Sequence, residues 1–239
     1  ESCRTIFLSL PGGKEVEEIC LGPNGLTTKA KLGWTVVDLS TAPPRLARRL
    51  YAEFEGRAAA FADAPVARTR QAAIDGTLSI MVGATAPTFG RIEPLLRHMA
   101  SEVTHCGEAG AGQTVKILNN MILFQTVVAL GEALSIARAN DVDGKVLFET
   151  LTKGSADSFA LRNHGMKAML PGVFPERAFS TKYALKDLSY AIEMADETGV
   201  PALGADVARE LMERAVELGH GEEYWPVLLR SIEDAAGKG

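Results

Sequence analysis

Residues 113–141, QTVKILNNMILFQTVVALGEALSIARAND, limit what this chain can fold into more than any other stretch. The run reads as one helix of about 28 residues, roughly 40 Å long at 1.5 Å rise per residue. It is apolar on most sides, so it has to be covered on most sides. A helix that crosses between neighbouring parallel strands is far shorter. This one belongs at the centre of a helical domain.

The residues before it follow another rhythm. Short apolar runs fall at 5–11 (TIFLSLP), 33–40 (GWTVVDLS), 58–66 (AAAFADAPV), 77–83 (TLSIMVG) and 102–107 (EVTHCG). Each reads as a strand buried on both faces. Helical segments alternate with them at 14–22, 43–54 and 86–99. In the second of these, Leu46, Leu50 and Phe54 repeat every four residues behind a proline pair, which suits one face of a helix with proline in its first turn. Alternation of this kind predicts crossover connections and a largely parallel sheet. After residue 107 no strand is expected; helices are predicted near 143–153, 157–169, 184–199, 204–219 and 226–236. The expected architecture is α/β then all-α, with a parallel-sheet domain over residues 1–109 and an all-helical domain over 110–239.

Composition narrows the function classes. The net charge of −5 argues against a nucleic-acid surface, which needs a basic face. Glu132 and Arg138 interrupt the longest apolar segment, so no membrane span is expected. The three cysteines, Cys3, Cys20 and Cys106, lack a C-x-x-C pair, which suits reduced thiols in a cytoplasmic protein. The four histidines share no metal-ligand spacing, so no metal site is expected. No signal peptide is recognised at the start. The chain opens without methionine on a strand that reads like the middle of a sheet, so a segment upstream of Glu1 is expected.

The stretch EAGAGQTVKILNN, residues 108–120, is where chemistry concentrates. A dinucleotide fingerprint would need a third glycine where Val115 stands, and a Walker loop would need Gly-Lys-Ser/Thr. The spacing instead favours the lysine. Lys116 and Asn120 stand at i and i+4 on one helix face, with Gln113 three residues before the lysine and Asn119 three after it. A buried lysine near a helix start suits proton transfer, and a neighbouring asparagine suits orientation of a hydroxyl. From spacing alone, a solvated first turn remains the competing reading.

The set Gly110, Gly112, Lys116 and Asn120 resembles the G-x-G-x-x-x-K-x-x-x-N signature of the β-hydroxyacid dehydrogenases. Other stretches agree in order: VVDLSTAPP resembles the family's D-x-S-T-x-x-P segment beside the nicotinamide, FADAPVART its D-A-P-V-S-G-G substrate loop, DGTLSIMVGA the strand after it, and LKDLSYAI its K-D-L helix. The resemblance runs over residues 4–235. It implies a Rossmann-like domain followed by a helical one, and NAD or NADP as cofactor. It also implies that the pyrophosphate loop lies upstream of Glu1.

In roles, the resemblance makes Lys116 the general acid/base and Asn120 its orienting partner. Ala67, Arg68, Thr69 and Asn119 become substrate contacts, with Arg70 a weaker candidate. Pro11, Gly12, Thr41 and Lys186 become cofactor contacts, and Asp187 a brace. Ala67-Arg68-Thr69 stands where the family usually has Ser-Gly-Gly, and is closer to the V-G-R-T loop of members resembling 3-sulfolactaldehyde and succinic semialdehyde reductases. An arginine fork suits a carboxylate or sulfonate. The expected partner is therefore a small anionic hydroxy acid or semialdehyde. A homo-oligomer, dimer or tetramer, is expected from the apolar surface of the long helix. Alternative readings are a non-catalytic relative that uses the fold for assembly, and an imine reductase-like enzyme. His105 and Cys106 are expected to pack rather than react, and Trp225 to anchor a core or an interface.

Overall fold

A computed structural model describes residues 3–237. The chain forms two compact units, one through Leu118 and one from Asn119.

The first unit is built on β1 (Thr5–Leu8), β2 (Thr35–Asp38) and β3 (Ala60–Asp63), which pair in parallel with Thr5 opposite Thr35 and Thr35 opposite Ala60. β2 is buried along its whole length, as a central strand covered on both faces must be. Helices α1 (Gly13–Leu21), α2 (Leu26–Lys29) and α3 (Pro44–Glu55) belong to this half. The four-residue repeat of α3 does what its spacing predicts: Leu46, Leu50 and Phe54 join Val16, Cys20 and Phe61 in one core, with Phe54 stacked on Phe61 at 5.9 Å. Each such side chain contributes about 1.5–3 kcal/mol on burial.

The strand expected over 58–66 is two strands. β3 stops at Asp63, and β4 (Val66–Ala67) pairs antiparallel with β5 (Leu78–Gly83). Pro65 stands at the break and has no N–H to donate to a ladder. β5 meets β3 antiparallel at Asp63 and Gly83, then pairs in parallel with β6 (Ala100–Gly107). The sheet is thus mostly parallel with an antiparallel seam at its middle. Two short helices, α2 and α4 (Arg70–Ile74), were not expected; α5 (Ala86–Leu96) was. Ile80, Val82, Ile92 and Leu96 form a second core around β5 and α5.

The long helix is α6 (Ala111–Ala139), 29 residues. By length and composition alone it would be long and apolar enough to cross a membrane, as the core helix of a folded domain also can be, and 44% of its most apolar window is buried inside the protein. Phe124, Val127 and Leu134 are fully buried in the second unit. That unit continues through α7 (Gly144–Leu151), a π-helical segment at Leu161–Met169, α8 (Thr181–Thr198), α9 (Leu203–Glu217), a 3-10 turn at Trp225–Leu228 and α10 (Leu229–Ala235). Asp143 caps α7 and Ser180 caps α8 through side-chain oxygens. Among the described residues no strand follows β6; an isolated bridge joins Ser180 and Tyr224. Trp225 is fully buried and meets Phe124 edge-on at 4.8 Å, the core role expected for it.

Candidate functional site

The glycine-rich loop does not present its amides to a ligand. Asp63, the last residue of β3, reaches into the start of α6 and accepts from the N–H of Gly110 at 2.7 Å and of Gln113 at 2.8 Å. A carboxylate from the protein itself thus occupies the place that a phosphate would take at such a helix start. Burial pushes the Asp63 carboxyl up to about 6, against the pull of those two N–H bonds. The neighbouring strand end carries Asp38, also pushed up to about 6 by burial and opposed by its bond from the Ser40 N–H.

The helix start is tied to the strand ends in a second way. Gln113 is fully buried; its amide donates to the Ser40 carbonyl at 2.7 Å and accepts from the Ala42 N–H at 3.1 Å. Ser40 in turn accepts at its hydroxyl from the Leu10 N–H at 2.9 Å. The loops after β1, β2 and β3 are therefore one hydrogen-bonded cluster at the carboxyl ends of parallel strands, where open α/β sheets bind ligands. Pro11 and Gly12 lie in the first of these loops, and Thr41 in the second. Lys116 follows Gln113 by three residues on α6 and is 9% exposed.

Asn120, one turn beyond Lys116, is buried in the second unit's network. Its Nδ2 donates to Asp187 Oδ2 at 2.8 Å, and its Oδ1 accepts from Asn119 at 3.2 Å. Asp187, 2% exposed, pairs through Oδ1 with Lys186 Nζ at 3.0 Å, and the same ammonium lies 4.2 Å over the ring of Tyr183. Asp187 therefore braces both Asn120 and Lys186. Asn119 itself is exposed. His164 is another buried polar group of the second unit: it bonds Tyr224 Oη through Nδ1 at 2.6 Å, and burial pushes it down to about 4. An imidazole held this way stays neutral at physiological pH.

The substrate-loop candidates lie on β4 and at the start of α4. Ala67 is buried in β4 opposite Ser79. Thr69 caps α4 by accepting from the Ala72 N–H at 3.2 Å. Arg68 is exposed, with φ of 86°, and its Nη1 donates to the Thr77 carbonyl at 2.6 Å and Ser101 Oγ at 2.8 Å. Arg70 is exposed on α4. His105 stacks on Phe89 at 4.6 Å and donates from Nε2 to the Ala84 carbonyl, a packing role. Among the described residues no group of His, Cys, Asp or Glu side chains is placed to hold a metal ion.

Asp63 is the residue whose importance the spacing did not announce; Gln113 stood out beside Lys116, but its bonds to Ser40 and Ala42 did not. For Asp63 the readable signal was an acid at the end of an apolar strand, beside the proline that breaks it.

Comparison with known proteins covers both units. The NAD-binding domain of 6-phosphogluconate dehydrogenase matches residues 1–107 as a family model. The model described as NAD-binding of NADP-dependent 3-hydroxyisobutyrate dehydrogenase matches residues 110–228. A 2-(hydroxymethyl)glutarate dehydrogenase of Eubacterium barkeri is 31% identical over 232 residues, 97% of this chain and 77% of that protein. A 3-sulfolactaldehyde reductase of Escherichia coli K12 is 29% identical, over 97% of this chain and 78% of its own. Among solved structures, Mycobacterium tuberculosis 3-hydroxyisobutyrate dehydrogenase with L-serine superposes with a TM-score of 0.86 at 26% identity, covering 97% of this chain and 80% of that one. The strand-end cluster lies at the carboxyl ends of β1 and β2, with Gly12 and Ala42 as small residues in its loops, the place where such sheets take a dinucleotide. Since the likeness holds along the sequence of both units as well as in the fold, the chain belongs to the β-hydroxyacid dehydrogenase family, oxidoreductases that use NAD or NADP.

Proposed function

We propose that this chain interconverts a small β-hydroxy acid, or a γ-hydroxy or sulfonate analogue, with its semialdehyde, and that Lys116 is the general acid and base. The observation that carries the reading is the burial of Lys116 on a helix start anchored from within by Asp63. In the reducing direction the protonated amine stabilises the negative charge that builds on the carbonyl oxygen and gives that oxygen a proton. In the oxidising direction the neutral amine takes the hydroxyl proton. Asn120, its amide fixed by Asp187 and Asn119, is assigned to hold the same oxygen in line, and Asn119 is assigned as a substrate contact by the family resemblance. Pro11, Gly12 and Thr41 would hold the nicotinamide cofactor, which when bound supplies the hydride chemistry; Lys186 is assigned as a cofactor contact by the family resemblance alone. The two alternatives are less well supported: the curated relatives at about 30% identity are named for hydroxy acids or an aldehyde, imine reductases match only in fold at 17% identity or less, and a buried lysine at this position suits alcohol chemistry. Nicotinamide absorbance, followed with a panel of short carboxylate and sulfonate semialdehydes, tests the reading. Turnover with at least one of them is expected; none with any would end it.

The anion end of the substrate is assigned to the loop at Ala67, Arg68 and Thr69. Arg68 holds a backbone conformation natural to glycine, φ 86°, at the position where the family pattern has glycine. A side chain kept at such a φ costs of order 1–3 kcal/mol, so its presence asks for a compensating use. Binding an acid group by charge-assisted hydrogen bonds is such a use. Arg68→Gly should therefore move stability and substrate affinity in opposite senses. Stability rises by about 1 kcal/mol, and KM for the anionic substrate rises roughly tenfold or more. Chemical denaturation and initial rates read the two. An unchanged KM would remove Arg68 from the binding site and leave its bonds to Thr77 and Ser101 as its whole role.

We also infer a homo-oligomer, a dimer or tetramer. Ile122 is 61% exposed and Ile136 62% on α6, and Leu203 is 72% exposed on α9. Apolar side chains in such number at one unit's surface fit contact with a second copy. Light scattering should give a multiple of the chain mass, reduced by Ile122→Glu with Ile136→Glu; a monomer at micromolar concentration would refute this.

A further inference from the structure

We propose that Gln113 is a positioning residue, whose side-chain amide clamps the loop at Ser40–Ala42 to the first turn of α6 and so sets where Thr41 stands with respect to Lys116. The inference rests on the reading of Lys116 given above and adds a residue to which that reading assigns nothing.

Both polar atoms of the amide have a partner. Its nitrogen faces an acceptor, the Ser40 carbonyl at 2.7 Å, and its oxygen faces a donor, the Ala42 N–H at 3.1 Å. That pattern fixes which way round the amide lies. The two bonded groups are the carbonyl just before Thr41 and the N–H just after it, so Thr41 is bracketed and its backbone is held. The residue that does the bracketing is itself pinned, because its backbone N–H donates to Asp63 Oδ2 at 2.8 Å. The loop has a second pair of ties, from the Ser40 N–H to Asp38 and from the Leu10 N–H to the Ser40 hydroxyl. Gln113 is the link that joins this loop to the helix bearing the lysine.

Packing alone does not explain a glutamine here. The side chain is fully buried. An apolar residue of similar length would fill the same space and bring no polar group that must be satisfied. An amide fixes the loop's place closely, at the risk of two unsatisfied atoms whenever the loop moves. Lys116 follows three residues later, so a shift of the loop against the helix becomes a shift of Thr41 against the reacting amine. Misplacement of about 1 Å at a reaction centre costs on the order of a hundredfold in rate.

The test uses the full chain with two variants, Gln113→Leu and Gln113→Glu. Hydrogen exchange at the Ala42 amide reports the clamp, and steady-state kinetics report its use. In Gln113→Leu, exchange at Ala42 should quicken at least about tenfold, kcat should fall roughly tenfold to a hundredfold, and KM for the acid should change less than about threefold. The shape of the pH profile should be retained, because the proton-transferring group is still present. Gln113→Glu keeps the acceptor for Ala42 and loses the donor to Ser40, so it should retain exchange protection and lose part of kcat; it also carries the test if the leucine variant fails to fold. Unaltered exchange at Ala42 in Gln113→Leu overturns the clamp. Released exchange with unaltered kcat overturns the positioning role. A failure of the lysine reading shows separately, as turnover that survives Lys116→Ala, and exchange at Ala42 still decides whether the clamp exists.

Discussion

Lys116→Ala should lower turnover by about three orders of magnitude or more while the protein still folds and retains some binding of the nicotinamide cofactor. Two losses add in that variant. The proton has no positioned donor or acceptor, and the charge on the substrate oxygen has no cation beside it. The burial of the lysine is what makes the second loss large, since water is not at hand to replace the ammonium. Lys116→Met fills the space left by the truncation and should behave like the alanine variant, which separates chemistry from packing. Lys116→Arg keeps a positive charge but gives up no proton near neutrality, so it should recover charge stabilisation at best and little of the turnover. Rates of the alanine and methionine variants within tenfold of the parent would take Lys116 out of the mechanism. The lysine would then be a buried residue of structural use alone, and the proposed activity would need another acid.

Different parts of the molecule were readable from sequence to different depths. The repeat at Leu46, Leu50 and Phe54 foretold a helix face, because a helix puts such residues in one stripe whatever surrounds it. The spacing of Lys116 and Asn120 foretold a shared face for the same reason. The seam at Asp63 and Gly83 was not readable, since an apolar run looks alike in a parallel and an antiparallel pairing. Nor was the clamp of Gln113 on Ser40 and Ala42, whose partners lie more than seventy residues away in the chain. The φ of Arg68 was hidden as well: arginine carries no sign that its backbone is held where glycine would sit. Local periodicity shows in sequence, whereas bonds closed by the fold between distant loops do not.

Those distant bonds make the second large prediction. Gly112→Ala should destabilise the protein by at least about 4 kcal/mol, much of the 5–15 kcal/mol that a domain commonly has. A methyl group at position 112 would stand 2.4 Å from the Met81 carbonyl oxygen, 2.8 Å from the Gly83 nitrogen and 2.9 Å from Asp63 Oδ2. Two of those atoms are backbone of β5, and the third belongs to a buried carboxylate, so none can move aside as a flexible side chain would. The helix has to retreat instead. Retreat lengthens the bonds from the Gly110 and Gln113 N–H groups to Asp63, now 2.7 and 2.8 Å. Each buried N–H left without its acceptor costs about 1–3 kcal/mol, and the overpacking itself about 1–3 more. Gly90 is the internal control: it also lies within a helix, α5, but a methyl group there would meet nothing within 4 Å. Gly90→Ala should therefore stabilise by roughly 0.5–1 kcal/mol through the lower entropy of its unfolded chain. Urea unfolding of the two variants beside the parent reads both signs at once. A Gly112→Ala protein as stable as the parent would mean that α6 does not begin in close contact with β5, and the anchoring of Lys116 by Asp63 would lose its physical basis.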